Sequence, residues 1–219
     1  MSGLFITFEG TEGSGKSTQI TLLAKRLRGA GRKVRTLREP GGTPIGEELR
    51  HTLKHSAQNQ AMRAETELLL MNASRAQLVR EVIRPALAAG EIVLCDRFYD
   101  STTAYQGYGR QLDLVAVKAM IDFAVGTTRP GLTLLLVVSQ ELSEERRLAR
   151  QSTLGFMRDR MEEGDREFFE RVALGYQAIA AAEPNRMRVI AGKNSVETIE
   201  TAIWKAVEPL LVSSSNRSS

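Results

Sequence analysis

Five short apolar runs alternate along the chain with longer segments of helical periodicity. The runs begin near residues 4, 33, 91, 132 and 187 and read LFITFE, KVRTL, EIVLCD, LTLLLVV and MRVIA. This alternation indicates βαβ units and a parallel sheet. Continuous rather than alternating hydrophobicity in LTLLLVV favours a strand that helices cover on both faces. The pattern therefore predicts an α/β fold with a five-stranded parallel sheet flanked by helices.

Helical periodicity fills the intervals between these runs. It predicts helices at residues 16–29, 44–55, 64–89, 113–125, 142–151, 162–182 and 196–211. A chain of 219 residues, 42% of them hydrophobic, suits one compact domain, which we expect at residues 1–212. The segment SSSNRSS at residues 213–219 is small and polar, so we expect a disordered tail.

Charge and cysteine content exclude several classes of protein. The net charge of +4 is too small to indicate nucleic-acid binding. Cys95 is the single cysteine, which excludes an intramolecular disulfide and favours a reducing cytoplasm. No run approaches the roughly 20 apolar residues of a membrane span, so no membrane partner is expected. Arginine outnumbers lysine 23 to 7, which favours bidentate recognition of phosphate or carboxylate, although coding bias explains the bulk excess equally well.

A glycine-rich segment follows the first predicted strand and precedes the first predicted helix. It reads FEGTEGSGKST at residues 8–18 and contains the pattern GxxxxGK[ST]. Its glycines let backbone amides turn toward phosphate oxygens, and the following helix directs the positive end of its dipole at the same charge. Lys16 is expected to contact the β and γ phosphates of a nucleoside triphosphate, and Ser17 to contact Mg²⁺. The predicted triphosphate site comprises Gly10, Thr11, Glu12, Gly13, Ser14, Gly15, Lys16, Ser17 and Thr18.

Such a loop leaves nucleotide switches, motors and kinases open. The chain contains neither the DxxG nor the NKxD string of a GTPase switch, which argues against that class. Asp96 and Arg97 end the third predicted strand, at the edge of an open α/β sheet where ligands bind. There Asp96 can orient a magnesium shell, and Arg97 can hold a second phosphate. An ordinary ion pair at a strand terminus is the alternative interpretation.

Four more segments follow FEGTEGSGKST along the chain, namely REPGGT at 38–43, ASRAQ at 73–77, DRFYDSTTAYQGYGR at 96–110 and DRMEEGDREFFERVALGY at 159–176. In this order the five segments together resemble the bacterial thymidylate kinase family. The resemblance covers essentially everything before the tail. It implies a P-loop NTPase three-layer fold with a mobile lid at about residues 141–162. It also implies transfer of the γ-phosphate from ATP, with Mg²⁺, to dTMP, and a homodimer packed through long helices, here 64–89.

The resemblance assigns contacts to the acceptor phosphate. Arg97 matches the arginine that grips the phosphate of dTMP between the two reacting centres. Arg50 matches a further contact to that phosphate, and Glu39 matches an acid near the magnesium ion and the acceptor.

The resemblance also assigns contacts to the nucleoside. Arg75 and Gln106 match residues that hydrogen-bond the thymine ring, with Thr102 beside them. Tyr105 matches a tyrosine near the sugar that disfavours a 2′-hydroxyl. Four residues before the arginine that Arg75 matches, the family usually has a phenylalanine that stacks on the thymine. This chain has Met71 at that position. Methionine covers a base without aromatic stacking, so weaker affinity or a broader base preference is expected.

Members of the family supply one more basic residue, from either the phosphate loop or the lid. Glu12 occupies the loop position here, so the lid must provide it. Arg160 in DRMEE is the best match. Arg150 is the second and is also predicted to contact ATP, while the other lid arginines are interpreted as a solvated helix face. The predicted catalytic residues are therefore Lys16, Arg97 and Arg160, with Glu12 beside them.

Two alternatives remain beside a kinase specific for dTMP. The departure at Met71 keeps open a pyrimidine nucleoside monophosphate kinase of broader base preference. A non-catalytic ATP-binding regulator with the same fold is the other, but it has little need of the acceptor clamp that Arg97 implies.

Overall fold

The sheet of this protein has five parallel strands, as the apolar runs predict. The computed structural model describes residues 3–154 and 164–215. Its strands are β1 (Leu4–Glu9), β2 (Val34–Arg38), β3 (Ile92–Asp96), β4 (Leu132–Val137) and β5 (Met187–Ala191). They lie in the order β2-β3-β1-β4-β5, and every neighbouring pair is parallel. The carboxyl ends of β1 and β3 are therefore adjacent, which brings the segments after Glu9 and Asp96 to one edge.

Helices cover both faces of this sheet. Within the described residues they are α1 (Lys16–Gly29), α2 (Pro44–Lys54), α3 (Ala64–Leu78), α4 (Arg84–Ala88), α5 (Tyr99–Thr102), α6 (Leu114–Val125), α7 (Gln140–Leu154), α8 (Arg166–Ala182) and α9 (Val196–Ser215). Two π-helical segments, Val79–Ile83 and Thr103–Gly109, and a 3₁₀ turn, Asn59–Ala61, complete the set. None of the described helices is long and apolar enough to cross a membrane.

Alternate residues of β1 point into two different layers of the core. Ile6 and Phe8 pack with α1 and α9 on one face, whereas Phe5 packs with α3, α6 and the π-helical segment between α3 and α4 on the other. The central strands are buried on both sides, which explains why their sequences are continuously apolar.

Three elements differ from the sequence-based prediction. The predicted helix at 64–89 is interrupted by the π-helical segment just before Pro85, which has no N–H to bond the preceding turn. Residues 99–109 are helical although their Thr, Tyr and Gly content disfavours a helix, because packing against α8 outweighs propensity. Helix α9 ends at Ser215 instead of near residue 211, so it includes the start of the polar C-terminal segment.

Candidate active site

The loop between β1 and α1 has the backbone geometry of a phosphate cradle. Gly10 adopts φ +130, and a Cβ there would lie 2.2 Å from the Leu136 carbonyl oxygen. Gly15 adopts φ +96 and caps the N-terminus of α1. Both positions require glycine, because side chains rarely adopt such φ values. The loop is thus held close to β4 with the N-terminus of α1 directed at its interior.

Lys16 lies inside this loop. Its side chain is buried, and its Nζ donates to the carbonyl oxygens of Gly10 (3.1 Å) and Thr11 (2.9 Å) and to Ser14 Oγ (3.4 Å). Burial lowers the pKa of Lys16 to about 8, and the positive charge of Arg97 acts in the same direction. An anion bound in the loop would favour the protonated amine.

Ser17 and Asp96 meet where β3 ends. Ser17 Oγ donates to Asp96 Oδ2 at 3.0 Å. A hydroxyl and a carboxylate are the oxygen ligands that Mg²⁺ prefers, so these two residues fit the predicted metal role. Within the described residues no cluster of three or more acidic, His or Cys side chains forms a metal site. The donor set therefore suits a cation that also takes oxygens from a substrate and from water.

Arg97 has a left-handed backbone conformation, and hydroxyl groups surround its guanidinium. Its φ of 67 is uncommon for a residue other than glycine, and such strain is typical of functional sites. Its guanidinium donates to Ser101 Oγ (3.1 Å), Tyr176 OH (3.4 Å) and Tyr105 OH (3.4 Å). The Glu12 carboxylate lies 3.6 Å from its NH2 atom. The Arg97 side chain is 19% exposed.

A cavity of about 360 Å³ opens beside Arg97. It extends between the phosphate-binding loop, α3, the π-helical segment after α5, and α8. All the residues predicted for the acceptor except Arg50 line it, namely Glu39, Met71, Arg75, Arg97, Thr102, Tyr105 and Gln106. Arg50 instead donates to the carbonyl oxygen of Pro40 (2.8 Å), and Pro40 lines the cavity.

One wall of the cavity holds a buried ion pair. Arg75 Nε donates to Glu39 Oε2 at 2.8 Å, and both side chains are almost fully buried. The guanidinium also donates to Asn72 Oδ1 (3.0 Å) and to the Phe98 carbonyl oxygen (3.3 Å). Burial raises the pKa of Glu39 to about 7 although the Arg75 charge opposes that shift. These bonds fix the plane of the Arg75 guanidinium at the cavity.

A second buried carboxylate holds Gln106, another residue of the cavity lining. Glu67 accepts from Gln106 Nε2 (2.9 Å) and from Arg110 Nε (3.2 Å) and NH2 (3.1 Å), and it is fully buried. A carboxylate only accepts, so the Gln106 atom that it contacts must be the amide nitrogen. The amide of Gln106 therefore has one fixed orientation.

Comparisons with known proteins agree along almost the entire chain. A family model described as thymidylate kinase matches residues 8–203. The chain is 45% identical over 210 residues to the thymidylate kinase of Alcanivorax borkumensis, covering 96% of this chain and 98% of that protein. It is 48% identical over 202 residues to that of Geobacter sulfurreducens, covering 92% and 94%. The chain belongs to the thymidylate kinase family.

A solved structure supports the same assignment. The crystal structure of thymidylate kinase from Ehrlichia chaffeensis aligns with a TM-score of 0.74 at 32% identity, covering 95% of this chain and 99% of that one. The predicted P-loop NTPase fold is thereby confirmed. Phosphorylation of dTMP by ATP is the reaction of this family, so the predicted enzyme class is confirmed as well.

The lid arginines of this thymidylate kinase are described only in part. Arg160 lies outside the described residues, and so does the side chain of Arg150. Arg146 of α7 donates to the carbonyl oxygens of Gly13 (3.1 Å) and Gly192 (3.3 Å). It therefore contacts the phosphate-binding loop, whereas the sequence suggested a solvated position.

Sequence reasoning also missed the groups that hold the predicted residues. Glu9, Ser101 and Tyr176 surround Arg97, and Glu67 contacts Gln106. A carboxylate inside an apolar run, as at Glu9, and another on the apolar side of a helix, as at Glu67, are the signals that point to buried partners.

Proposed function

We propose that dTMP binds in the cavity with its phosphate against Arg97 and its base between Arg75 and Gln106, while ATP occupies the phosphate-binding loop. The supporting observation is that one continuous cavity is lined by the loop, by Arg97 and by both base-binding candidates. A nucleoside monophosphate bound this way presents its phosphate beside the loop that holds the triphosphate.

The cations around this point suit phosphoryl transfer without a general base. The second pKa of a phosphate monoester is about 6. At neutral pH the phosphate of dTMP is therefore mostly deprotonated, and its oxygen is already a nucleophile. An oxygen of the dTMP phosphate attacks the γ-phosphorus of ATP, the bond to the β-phosphate oxygen breaks, and ADP leaves. Lys16 and Arg97 align the two anions and stabilise the charge of the transferred group. Glu12, beside Arg97, orders this region of the loop.

Mg²⁺ is the expected cofactor. Ser17 and Asp96 would hold it, and it would neutralise charge on the β and γ phosphates. Thr18, which follows Ser17, and the amides of residues 10–15 complete the proposed ATP site.

The lid is proposed to supply a further arginine. Arg160 is the first candidate and Arg150 the second, because Glu12 leaves the loop without a basic residue at that position. Arg160→Ala should lower kcat by about 10³-fold if the side chain meets the transition state. Near-wild-type kcat in this variant would exclude the assignment and transfer it to Arg150.

The proposed base contacts favour thymine over cytosine. Arg75 only donates, which suits the O4 carbonyl of thymine and not the exocyclic amine of cytosine. The Gln106 amide, fixed by Glu67, adds a second polar contact. Tyr105 is buried beside Arg97, where it would limit space around the sugar.

A parallel assay of ADP release with dTMP, dUMP, dCMP, UMP and GMP tests this placement. We expect dTMP to give the highest kcat/KM, UMP to be rejected at the sugar and dCMP at the base. Equal turnover of dTMP and dCMP would contradict the base contacts. Equal turnover of dTMP and dUMP would support the second candidate, a broader pyrimidine kinase, which the aliphatic Met71 wall favours.

A homodimer is proposed to form through α3 and α6. Apolar residues on these two packed helices are strongly exposed, namely Leu69 (55%), Val115 (77%) and Phe123 (79%). Most other large apolar residues of the 64–89 stretch lie in the core, so α6 extends the predicted interface. Phe123→Glu should convert a dimer to a monomer in light scattering, with Val189→Glu on the edge strand as control. A monomeric wild-type protein at micromolar concentration would contradict the proposal.

A cytoplasmic location, which the single cysteine favours, stays a prediction. The thiol of Cys95 is fully buried in β3.

A further inference from the structure

Glu9 is a fully buried carboxylate in contact with hydrogen-bond donors. It ends β1, directly before the phosphate-binding loop. Its Oε1 accepts from the Phe98 backbone N–H at 2.8 Å. Its Oε2 accepts from Ser101 Oγ at 2.6 Å and from Tyr176 OH at 2.9 Å. These three donors come from the segment after β3 and from α8, so Glu9 joins three parts of the site.

The two hydroxyls that donate to Glu9 also contact Arg97. The Arg97 NH1 group donates to Ser101 Oγ at 3.1 Å and to Tyr176 OH at 3.4 Å. A guanidinium can only donate, so both hydroxyls must accept from it. Each hydroxyl has a single proton, which must then point elsewhere. The two hydroxyl oxygens also lie 2.9 Å apart, so either could instead donate to the other. When the Glu9 carboxylate takes both protons, the lone pairs of both hydroxyl oxygens are left for Arg97.

We propose that Glu9 is a positioning residue for Arg97, because it sets the direction of the Ser101 and Tyr176 hydroxyl protons. With Glu9 ionised, both hydroxyl oxygens accept from the guanidinium and hold it at the cavity. The inference rests on the proposed role of Arg97 in binding the acceptor phosphate. It adds a residue that does not line the cavity and that acts on Arg97 through the two hydroxyls, in addition to the attraction between the two charges.

Substitution of Glu9 by glutamine has a predictable effect on these bonds. Glutamine has the same shape, but one of its two terminal atoms is an NH₂ group. If that group faces Ser101 and Tyr176, it donates to their oxygens, and their protons turn toward each other or toward the guanidinium, which also donates. If it faces Phe98, the glutamine NH₂ group and the Phe98 backbone N–H are two donors that point at each other inside the protein, with no acceptor between them. Neither orientation reproduces the wild-type arrangement.

The test compares steady-state kinetics of wild type and Glu9→Gln for each substrate at pH 8, where Glu9, whose pKa burial raises to about 7, is ionised. Since hydrogen bonds to charged groups are involved, we expect kcat/KM for dTMP to fall about 10-fold to 100-fold while the KM for ATP is unchanged. Wild-type kcat/KM for dTMP would overturn the proposal. An equal loss for both substrates would also overturn it, because it would indicate general damage to the fold.

A second background separates positioning from a structural role. In the Ser101→Ala/Tyr176→Phe variant the hydroxyls are absent, so adding Glu9→Gln should cost little further kcat/KM for dTMP. A further loss as large as in the wild-type background would overturn the proposal. If Glu9→Gln alone does not fold, the hydroxyl double variant must show the dTMP-specific loss, and a wild-type value there would overturn the proposal.

Two further variants complete the design. Asp100→Asn removes a different buried carboxylate, which pairs with Arg186 at 2.8 Å, and loss of this pair should lower thermal stability. Because the Asp100 charge disfavours ionisation of Glu9, removal of that charge should cause no dTMP-specific defect. A dTMP-specific loss in this control equal to that of Glu9→Gln would overturn the proposal. Arg97→Met tests the proposed function itself: wild-type use of dTMP there would refute the role of Arg97. A large loss with Arg97→Met but none with Glu9→Gln would refute only the role of Glu9.

Discussion

Removal of the Arg75 guanidinium should cost this protein a large part of its stability. Arg75→Met keeps an apolar side chain of similar length but removes the cation that faces Glu39 at 2.8 Å. Both partners are almost fully buried, with 2% and 3% of their side chains exposed. Glu39 Oε1 already has no hydrogen-bond partner among the described residues, so the carboxylate would lose its main compensation. Breaking a buried ion pair in this way costs about 3–5 kcal/mol.

Thermal denaturation followed by circular dichroism measures this loss. For a domain of this size 1 kcal/mol corresponds to about 2–4 °C in Tm, so a decrease of roughly 6–20 °C is expected. The matched control is Arg35→Met, because the Arg35 to Glu91 pair has the same 2.8 Å separation but 45% of the Arg35 side chain is exposed. That control should leave the denaturation midpoint nearly unchanged, because solvent screens exposed pairs.

The Glu39 carboxylate that remains in Arg75→Met should make the stability of this variant depend on pH. Glu39 has a pKa raised to about 7 by burial, and loss of the Arg75 charge, which lowers it, must raise it further. A raised pKa in the folded state means that stability is lost as pH rises, so Arg75→Met should be less stable at pH 8 than at pH 6. Adding Glu39→Gln should restore part of the stability at pH 8. An effect of Arg75→Met no larger than the surface control, or no restoration in the double variant, would refute the buried-charge argument.

Three further predictions concern the cavity and pH. Met71→Phe should lower the KM for dTMP about 2-fold to 10-fold at unchanged kcat, because an aromatic contact adds about 0.5–1.5 kcal/mol, and an unchanged KM would contradict a base contact. Glu67→Gln should lower the ratio of kcat/KM for dTMP to kcat/KM for dCMP, because the Gln106 amide is then free to turn over. The exposed control Glu81→Gln should leave this ratio unchanged, and equal ratios in the two variants would contradict the positioning of Gln106 by Glu67. Burial raises the pKa of Glu9 from 4.5 to about 7, so its contribution to stability is present below pH 4.5 and is lost toward pH 7. Because Glu39 has a similarly raised pKa, the check is that the wild-type Tm falls more between pH 5 and 7 than the Tm of Glu9→Gln, and equal decreases would contradict this.

The features that sequence predicted correctly are local ones. The apolar run that forms β4 and the glycine pattern around Lys16 each carry their physical reason within a few neighbouring residues. The π-helical segment Thr103–Gly109 does not, because its conformation depends on α8, some 60 residues later in the chain. Arg97 is a candidate from the sequence for the same local reason, its position at the end of a strand, and its role stays a prediction. What holds Arg97 in place could not be read from the sequence, because Tyr176 reaches it from α8.

The two arginines of the cavity are held in different ways, and the difference follows from what each is proposed to bind. Arg75 contacts Glu39 directly, which neutralises its charge and leaves an oriented donor for an uncharged base. Arg97 meets hydroxyls first, with the Glu9 carboxylate behind them. A carboxylate in direct hydrogen-bond contact would compete with a phosphate for the same N–H groups, whereas hydroxyls orient the guanidinium and leave it positively charged. The contact with Glu12 is longer, at 3.6 Å, and partly exposed, so an incoming phosphate can replace it. In the proposed binding mode, carboxylate placement therefore separates recognition of a neutral ring from recognition of an anion.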